Sequence, residues 1–482
     1  MASVRQSVIY SSLSRYLLMA IGLLSTVVVA RLLTPGEIGT WAIGSAIVMV
    51  LSEFRLLGAG VYLVREPELS ETKIRSALGV TFLISWGLGG TVLLASPWVA
   101  GFYDIAGLEG LFYLLSINFF LAPFVSIPYA LLQRTMSFGK LFAVMSSGVL
   151  VGFVVTIGSI LWGLSYYSMA IGLTANSFTQ LTVANMLVPR RYWRPEFHQI
   201  MPVMRFGFYS SASNVMKKSL LTVPDVIIGK MGTTTQVGFF SRGLGFVEFL
   251  SASVQQGVSP VILPFLSGKV RAKENVGAPY LKAGVMLGAI LWPVLTVAAI
   301  NSLPVVRFFF GDQWDEAAPL ASILAIWAMC RCVNVFLPEL LLSTGAEKLL
   351  MVRELLLLSV CVAGVWALFP FGLKFAALAF LAVGAVDLVF GAWILTARMS
   401  LRPTNIAFAW LPNLVLASVC GLVSWILKEW FIFDELRPWF AVLILALVLT
   451  PVWYLGLGFV RNPLWDEIKP KRLWRVWRAR HG

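Results

Sequence analysis

Arg15, Glu53, Arg55, Lys217, Lys218, Asp225, Arg242, Glu248, Arg331, Glu339 and Asp387 all lie inside long apolar stretches of this chain. An ionisable group at the centre of a bilayer costs about 2.5–3.5 kcal/mol on insertion scales, so each needs a partner, a water-filled cavity or a function. The chemistry they suggest is anion binding. A rise of 1.5 Å per residue sets Arg55 near one mouth of its helix and Arg15 about 10 Å in from the same side. Lys217 and Lys218 then lie about 20 Å in, and Arg242 roughly 8 Å below the opposite surface. If they face one cavity, Arg15, Arg55, Lys217, Lys218, Arg242 and Arg331 form a ladder of cations suited to a doubly anionic group such as a diphosphate.

Each has a structural alternative. Arg15 and Arg55 are close enough to an interface to snorkel, whereas Lys217 and Lys218 are too deep. Arg331 is expected to face the inter-helix interior, since facing lipid would cost several kcal/mol. Glu53 and Arg55 sit about 200° apart around a helix and cannot pair with each other. Lys218 and Asp225 share a face but lie about 10 Å apart, with Pro224 between them as a kink. Asp225 therefore either pairs with Arg242 on the next helix or, like Glu53, is a site for a coupling ion.

Catalytic constellations are missing. His198 and His481 both fall outside the apolar runs, and Cys330, Cys332, Cys361 and Cys420 all fall within them without a C-x-x-C spacing. This argues against a disulfide framework, a redox motif and a zinc site, and implies no cofactor. With no Asp-x-Asp and no intramembrane histidine for acid–base work, the chain does not read as an enzyme.

The elements that must carry these residues follow from composition. Of 482 residues, 59% are hydrophobic and 12% charged, with a mean hydropathy of +0.84; a soluble domain carries about 25% charge. Apolar surface on this scale needs lipid as its solvent, and a crossing uses about 20 residues. The expected fold is an all-α integral membrane protein of about fourteen transmembrane helices, near 8–30, 37–64, 77–96, 110–132, 141–163, 168–188, 204–229, 237–266, 280–300, 317–343, 353–370, 375–397, 406–427 and 438–460. The first run is too long for a signal-peptide core and lacks an A-x-A cleavage site, so it reads as a retained helix.

The net charge of +14 is spread in short clusters between apolar runs, a topology signal and not a nucleic-acid patch. Alternate connections, including Arg65, Lys73, Arg75, Arg134, Lys140, Lys348 and Arg353, together with the tail hold about 23 basic residues against about six opposite, which places both termini in the cytoplasm. The longest outer connection, about Asn301 to Ala317, reads as a loop too short for a separate domain. The tail, with Trp465, Trp474 and Trp477 among Lys and Arg, reads as an anchor on anionic lipid.

An internal repeat organises the helices. At an offset of 199, Tyr10-Ser11-Ser12-x-Ser14 faces Tyr209-Ser210-Ser211-x-Ser213, while Arg31, Thr34 and Gly39 face Lys230, Thr233 and Gly238. At about 210, Pro128-x-x-Leu131-Leu132 faces Pro338-x-x-Leu341-Leu342. Two parallel-repeat lobes of six helices follow, at 1–200 and 201–400, with two more helices at 401–460 and a basic cytoplasmic tail at 461–482. Parallel repeats place a substrate between the halves near the midplane and imply a carrier working by alternating access.

The segments RLLTPGEIGTWAI (Arg31 to Ile43), ALLQRTMSF (Ala130 to Phe138), PDVIIGKMGTTTQVGFFSRGLGF (Pro224 to Phe246) and FFGDQWDEAAPLASILA (Phe309 to Ala325) resemble the polysaccharide-transport branch of the multidrug/oligosaccharidyl-lipid/polysaccharide exporter superfamily. The resemblance runs to about residue 400. It implies a bacterial inner-membrane flippase that moves an undecaprenyl-diphosphate-linked oligosaccharide to the periplasmic leaflet for exopolysaccharide, capsule or O-antigen synthesis. A polysaccharide polymerase and a chain-length regulator would be its partners. It also implies a cationic central cavity, as a chemical type and not residue by residue. Arg242 lies in a matching segment, as does Arg134, whose place at a cytoplasmic turn suits a topology role. The alternatives are a drug or cation exporter of the same superfamily, which would want carboxylates where the first lobe offers only Glu53, and a membrane polymerase or glycosyltransferase, which would want a long outer loop or Asp-x-Asp.

Overall fold

The computed structural model describes residues 4–54, 60, 62–63, 66, 68–187, 194–197, 208–399, 401–431, 433 and 435–469, with side chains except at 4–15, 208–211 and 260. In chain order the helices are α1 (Val4–Leu32), α2 (Pro35–Phe54), α3 (Glu71–Tyr103), α4 (Leu108–Arg134), α5 (Phe138–Leu161), α6 (Tyr167–Leu187), α7 (Phe208–Met231) and α8 (Thr234–Arg271). They continue as α9 (Gly277–Ile300), α10 (Ser302–Phe310), α11 (Ala317–Val333), α12 (Leu337–Ser343), α13 (Glu347–Leu368), α14 (Leu373–Met399), α15 (Pro403–Phe431), α16 (Pro438–Phe459) and α17 (Pro463–Ile468).

Apart from a turn at 334–336 and a few end residues, the fourteen apolar runs are helical in their described parts, as lipid demands when it cannot satisfy backbone groups. Among the described residues, eleven helical segments are long and apolar enough to cross a membrane. The helices α6 and α7 fall short for a physical reason: α6 carries Asn176, Gln180 and a series of Ser and Thr, and α7 carries Lys217, Lys218, Asp225 and Lys230.

Three expectations are corrected. The tenth run is not one helix, because α11 stops at Val333 and α12 starts at Leu337. Pro338 cannot donate to the carbonyl of Asn334, which accepts instead from Leu337 N at 3.0 Å, while the Asn334 side chain donates to the backbone oxygen of Asp387 at 2.7 Å. The outer connection after Asn301 is not a loop but the helix α10 and a 3₁₀ turn at Asp312–Trp314; three consecutive phenylalanines gain by packing and Trp314 is fully buried. Arg353, expected among the cytoplasmic topology charges, is buried in α13. Its Nε and Nη2 bind Asp387 Oδ1 at 2.8 and 2.7 Å, and its Nη1 binds Glu354 Oε1 at 2.7 Å.

The chain divides into two compact units, Met1–Gly238 and Phe239–Gly482. In the first, α3 packs on α4, α4 on α6, α5 on α6, and α7 on α2; in the second, α9 packs on α11, α11 on α14 and α13 on α14. The α5–α6 seam is built from small residues, with Gly148 and Gly152 against Asn176 and Gly172 against Thr156, the usual device where lipid gives helices no hydrophobic reason to associate. In the second unit α15 and α16 are fastened to α9 by polar groups. Asn413 donates to Val285 O at 3.0 Å, Trp453 Nε1 to Ala289 O at 2.8 Å, and Asn462 to Asn413 Oδ1 at 2.8 Å.

Positions matched at the offset of 199 meet within the first unit. Thr34 and Glu37 form a reciprocal capping box at the start of α2 (Thr34 N to Glu37 Oε2, 2.7 Å; Glu37 N to Thr34 Oγ1, 3.3 Å), and Thr233 and Gln236 form the same box at the start of α8 (3.0 and 3.2 Å). Each box satisfies two otherwise orphaned backbone donors. A Cβ on Gly39 would lie 1.7 Å from Thr234 O, and one on Gly238 would lie 2.0 Å from Pro35 O. Residue 35 maps onto 234 as 39 maps onto 238, so the crossing is symmetric under the repeat. Gly39→Ala should therefore force two backbones apart and lower the thermal midpoint of the purified protein by several degrees. Gly22→Ala, where nothing lies within 4 Å, should leave it unchanged or slightly raised; equal midpoints for the two variants would contradict the crossing.

Candidate functional site

Lys217 and Lys218 stand on α7, about 14 Å from its Phe208 end and about 20 Å from its Met231 end. Lys217 is exposed and Lys218 half-buried, and neither makes an ion pair among the described residues. Asp225, two turns further on, is buried, and its Oδ1 has no hydrogen-bond partner. No ion pair with a cation is formed at Asp225 among the described residues. Pro224, directly before it, cannot donate to the preceding turn. The Met231 end of α7 is held to α3: Tyr103 Oη donates to Val226 O at 3.2 Å, and Lys230 Nζ donates to Phe102 O at 2.6 Å while lying 4.3 Å from the Phe102 ring centroid. Glu53 is half-buried near the end of α2. The side chain of Arg15 and the whole of Arg55 lie outside the described residues.

In the second unit Arg331 does face other helices. Its Nη1 lies 2.7 Å from Glu248 Oε1, its Nη2 donates to Oε2 at 3.1 Å, and its guanidinium lies 4.8 Å from the Trp327 ring centroid. A bidentate pair neutralises Arg331 locally, so an incoming anion would have to displace Glu248 to use it. Arg242 is placed differently. It lies beside a pair of rings, 5.9 Å from the centroid of Phe310 and 5.6 Å from that of Trp314. Its Nε is buried without a hydrogen-bond partner, and it forms no ion pair among the described residues. Aromatic faces stabilise a guanidinium without cancelling its charge, so Arg242 keeps a net charge to offer.

Sequence reasoning missed the Arg353–Asp387–Glu354 cluster, because the partners on α13 and α14 are 34 positions apart and no spacing rule joins them. It also missed the rings that hold Arg242, which come from α10 and the turn after it. The run of Phe308, Phe309 and Phe310 was the available signal. Among the described residues no group of three His, Cys, Asp or Glu could hold a metal ion.

Residues 28–319 match the polysaccharide biosynthesis protein family. The chain belongs to that family. Among its relatives, the lipopolysaccharide biosynthesis protein WzxC of Escherichia coli (strain K12) is 20% identical over 343 residues, covering 69% of this chain and 68% of the relative. The succinoglycan biosynthesis transport protein ExoT of Rhizobium meliloti (strain 1021) is 23% identical over 337 residues, covering 67% and 66%. The fold is similar to that of the lipid II flippase MurJ in its inward closed conformation, with a TM-score of 0.76 at 16% identity over 96% of this chain and 100% of that one. It is also similar to an inward-facing multidrug resistance MATE transporter of the MOP superfamily, with a TM-score of 0.65 at 12% identity over 79% and 95%. This family member is thus an all-α, multi-pass membrane protein with the MOP fold.

The Arg331–Glu248 pair is testable by exchange. Arg331→Glu and Glu248→Arg should each destabilise the purified protein, and the double exchange should recover about 1–2 kcal/mol of coupling in thermal or denaturant unfolding. Additive losses would mean that the pair contributes nothing.

Proposed function

We propose that this protein flips an undecaprenyl-diphosphate-linked oligosaccharide from the cytoplasmic to the periplasmic leaflet of a bacterial inner membrane, by alternating access between two six-helix lobes at 1–200 and 201–400. The observation that carries this reading is the lysine pair at the middle of α7. Two ammonium groups at such depth without an acidic partner among the described residues are costly unless water and an anion reach them, and a diphosphate supplies the anion. WzxC and ExoT support the reading by the polysaccharide syntheses in their names, as does the likeness of fold to a lipid II flippase.

In this reading Arg15 and Arg55 are further anion-binding cations of the first unit, and Arg242 and, when Glu248 lets go, Arg331 are those of the second. Asp225, buried beside Pro224, is the better placed of the two acids for taking up a coupling ion, with Glu53 nearer the mouth. Both termini are cytoplasmic, the tail rests on anionic lipid, and the polymerase and chain-length regulator take the delivered unit. Transport is preferred to the enzyme reading because ExoT carries transport in its name and the fold is similar to that of a flippase.

Replacing Lys217 and Lys218 together by Gln should abolish polymer export and accumulate the lipid-linked precursor in the cytoplasmic leaflet, with protein abundance near that of the wild type. Restoring the charge as Arg at both positions should recover part of the export. Unimpaired export by the double Gln variant would refute the proposal.

A further inference from the structure

The helices α2 and α7 pack on each other within the first unit, and three close approaches fix their register. A Cβ on Gly36 would lie 3.3 Å from Thr235 Oγ1 and one on Gly39 would lie 1.7 Å from Thr234 O, just past the Met231 end of α7, while one on Gly229 would lie 2.7 Å from Ile43 Cδ1. Residue numbers rise along α2 as they fall along its partner, so the two helices run antiparallel. Counted from the contact of Ile43 with Gly229, Glu53 lies about 15 Å along α2 and Lys218 about 16 Å along α7 in the same direction. An acid and a base therefore stand at one level of one helix pair.

Helix rotation sets their faces. Gly229 faces α2, and at 3.6 residues per turn Lys218 comes within about 20° of its direction and Asp225 within about 40°, whereas Lys217 points about 120° away. Burial agrees with the rotation: Thr222 and Asp225 are buried, Lys218 is half-buried and Lys217 exposed. On α2, Glu53 is turned about 40° from Gly39 and about 80° from Ile43. That is the flank away from Gly44, where a Cβ would lie 2.6 Å from Leu111 Cδ2 of α4. Packed helix axes lie about 8–10 Å apart, a gap that a Glu and a Lys side chain span together. Glu53 and Lys218 nevertheless form no ion pair among the described residues. Asp225 faces the same seam but lies about 10 Å from Lys218 along α7, too far for a direct pair.

We propose that Glu53 is the displacing ion of the lysine site: here it is parted from Lys218 and leaves the ammonium open to an anion, and on release the Glu53 carboxylate takes the Lys218 ammonium in the substrate's place. The inference rests on the flippase reading and deepens it by making the two lysines unequal, Lys218 shared between substrate and Glu53, and Lys217, turned out of the seam, without such a rival. Two unopposed ammonium groups hold a dianion well and release it poorly. A carboxylate at the same level leaves Lys218 a partner when the dianion departs, so no bare charge remains in the bilayer. Glu53 acts through Lys218 and does not touch the substrate.

The full-length protein in phosphatidylethanolamine nanodiscs would be titrated with farnesyl diphosphate. Glu53→Gln should bind it about tenfold more tightly than the wild type, and polymer export by the same variant should fall. Tighter binding joined to slower export is a combination that a merely structural role for Glu53 does not produce. Glu53→Asp should keep the wild-type affinity. In a Lys217→Gln background Glu53→Gln should still bring a gain, and in a Lys218→Gln background it should bring none. Glu53→Ser serves as a second neutral variant, and thermal midpoints verify folding. Unchanged or weaker affinity in both neutral variants, or an equal gain in the Lys218→Gln background, would overturn the displacing ion. These outcomes leave binding by the wild type intact and are distinct from failure of the flippase reading, which would appear as export unimpaired by loss of Lys217 and Lys218.

Discussion

Hydrocarbon accepts and donates no hydrogen bonds, so every polar group placed in the bilayer must find its partner within the protein or in water that the protein admits. This one constraint makes the chain helical throughout its spans and dictates where it can bend. At the break between α11 and α12 the Asn334 carbonyl is satisfied by Leu337 N, and the Asn334 side chain ties the turn to the backbone of Asp387. At the matched position in the first half, Pro128 lies within an unbroken α4. A proline alone does not decide the matter.

The same constraint governs association. With lipid as apolar as leucine, burial gives helices little reason to prefer each other, and close backbone approach and polar contacts take over. Gly39 and Gly238 allow two helix starts to cross at backbone distance, and each start is closed by its own capping box so that no orphaned donor is exposed there. The asparagines that fasten α15 and α16 to α9 are fully or almost fully buried, which makes them costly to orphan and hence directional.

How much was legible in the sequence follows from where each fact is encoded. The apolar runs were readable because hydropathy is local, and the offset of 199 was readable because its marks, a threonine cap and a glycine five residues on, are local too. The helix α10 was not readable as a helix from spacing, since nine residues carry little periodicity and its reason to fold is Arg242 and Phe246 on another element. The site was legible in part. The mid-helix positions of Lys217, Lys218 and Asp225 were legible, since depth along a helix needs only residue counting. Arg331 was found as inward-facing, but its partner Glu248 stands 83 positions away, and Arg353 was misread because a basic residue six positions into a helix resembles a topology charge until Asp387 is set against it.

Pairing sorts the intramembrane cations more sharply than depth does. Arg353 and Arg331 have carboxylates at 2.7 Å, and exchanging such a partner for a substrate would leave a buried acid uncompensated, at a cost of about 3–5 kcal/mol for a fully buried pair. Arg353, almost fully buried, is therefore committed to structure, while Arg331, with about a quarter of its side chain exposed, faces a smaller penalty because water can share the load. Lys217, Lys218 and Arg242 form no such pairs among the described residues, and an arriving anion costs them nothing but solvation already reduced by their surroundings. Chemical type also separates these three. Ammonium groups are compact and strongly hydrated, whereas the guanidinium of Arg242 lies to one side of Phe310 and Trp314, whose faces restrict its orientation. The lysine pair on α7 and Arg242 on α8 thus differ in kind, one a pair of hydrated point charges and the other a planar charge held against aromatic faces.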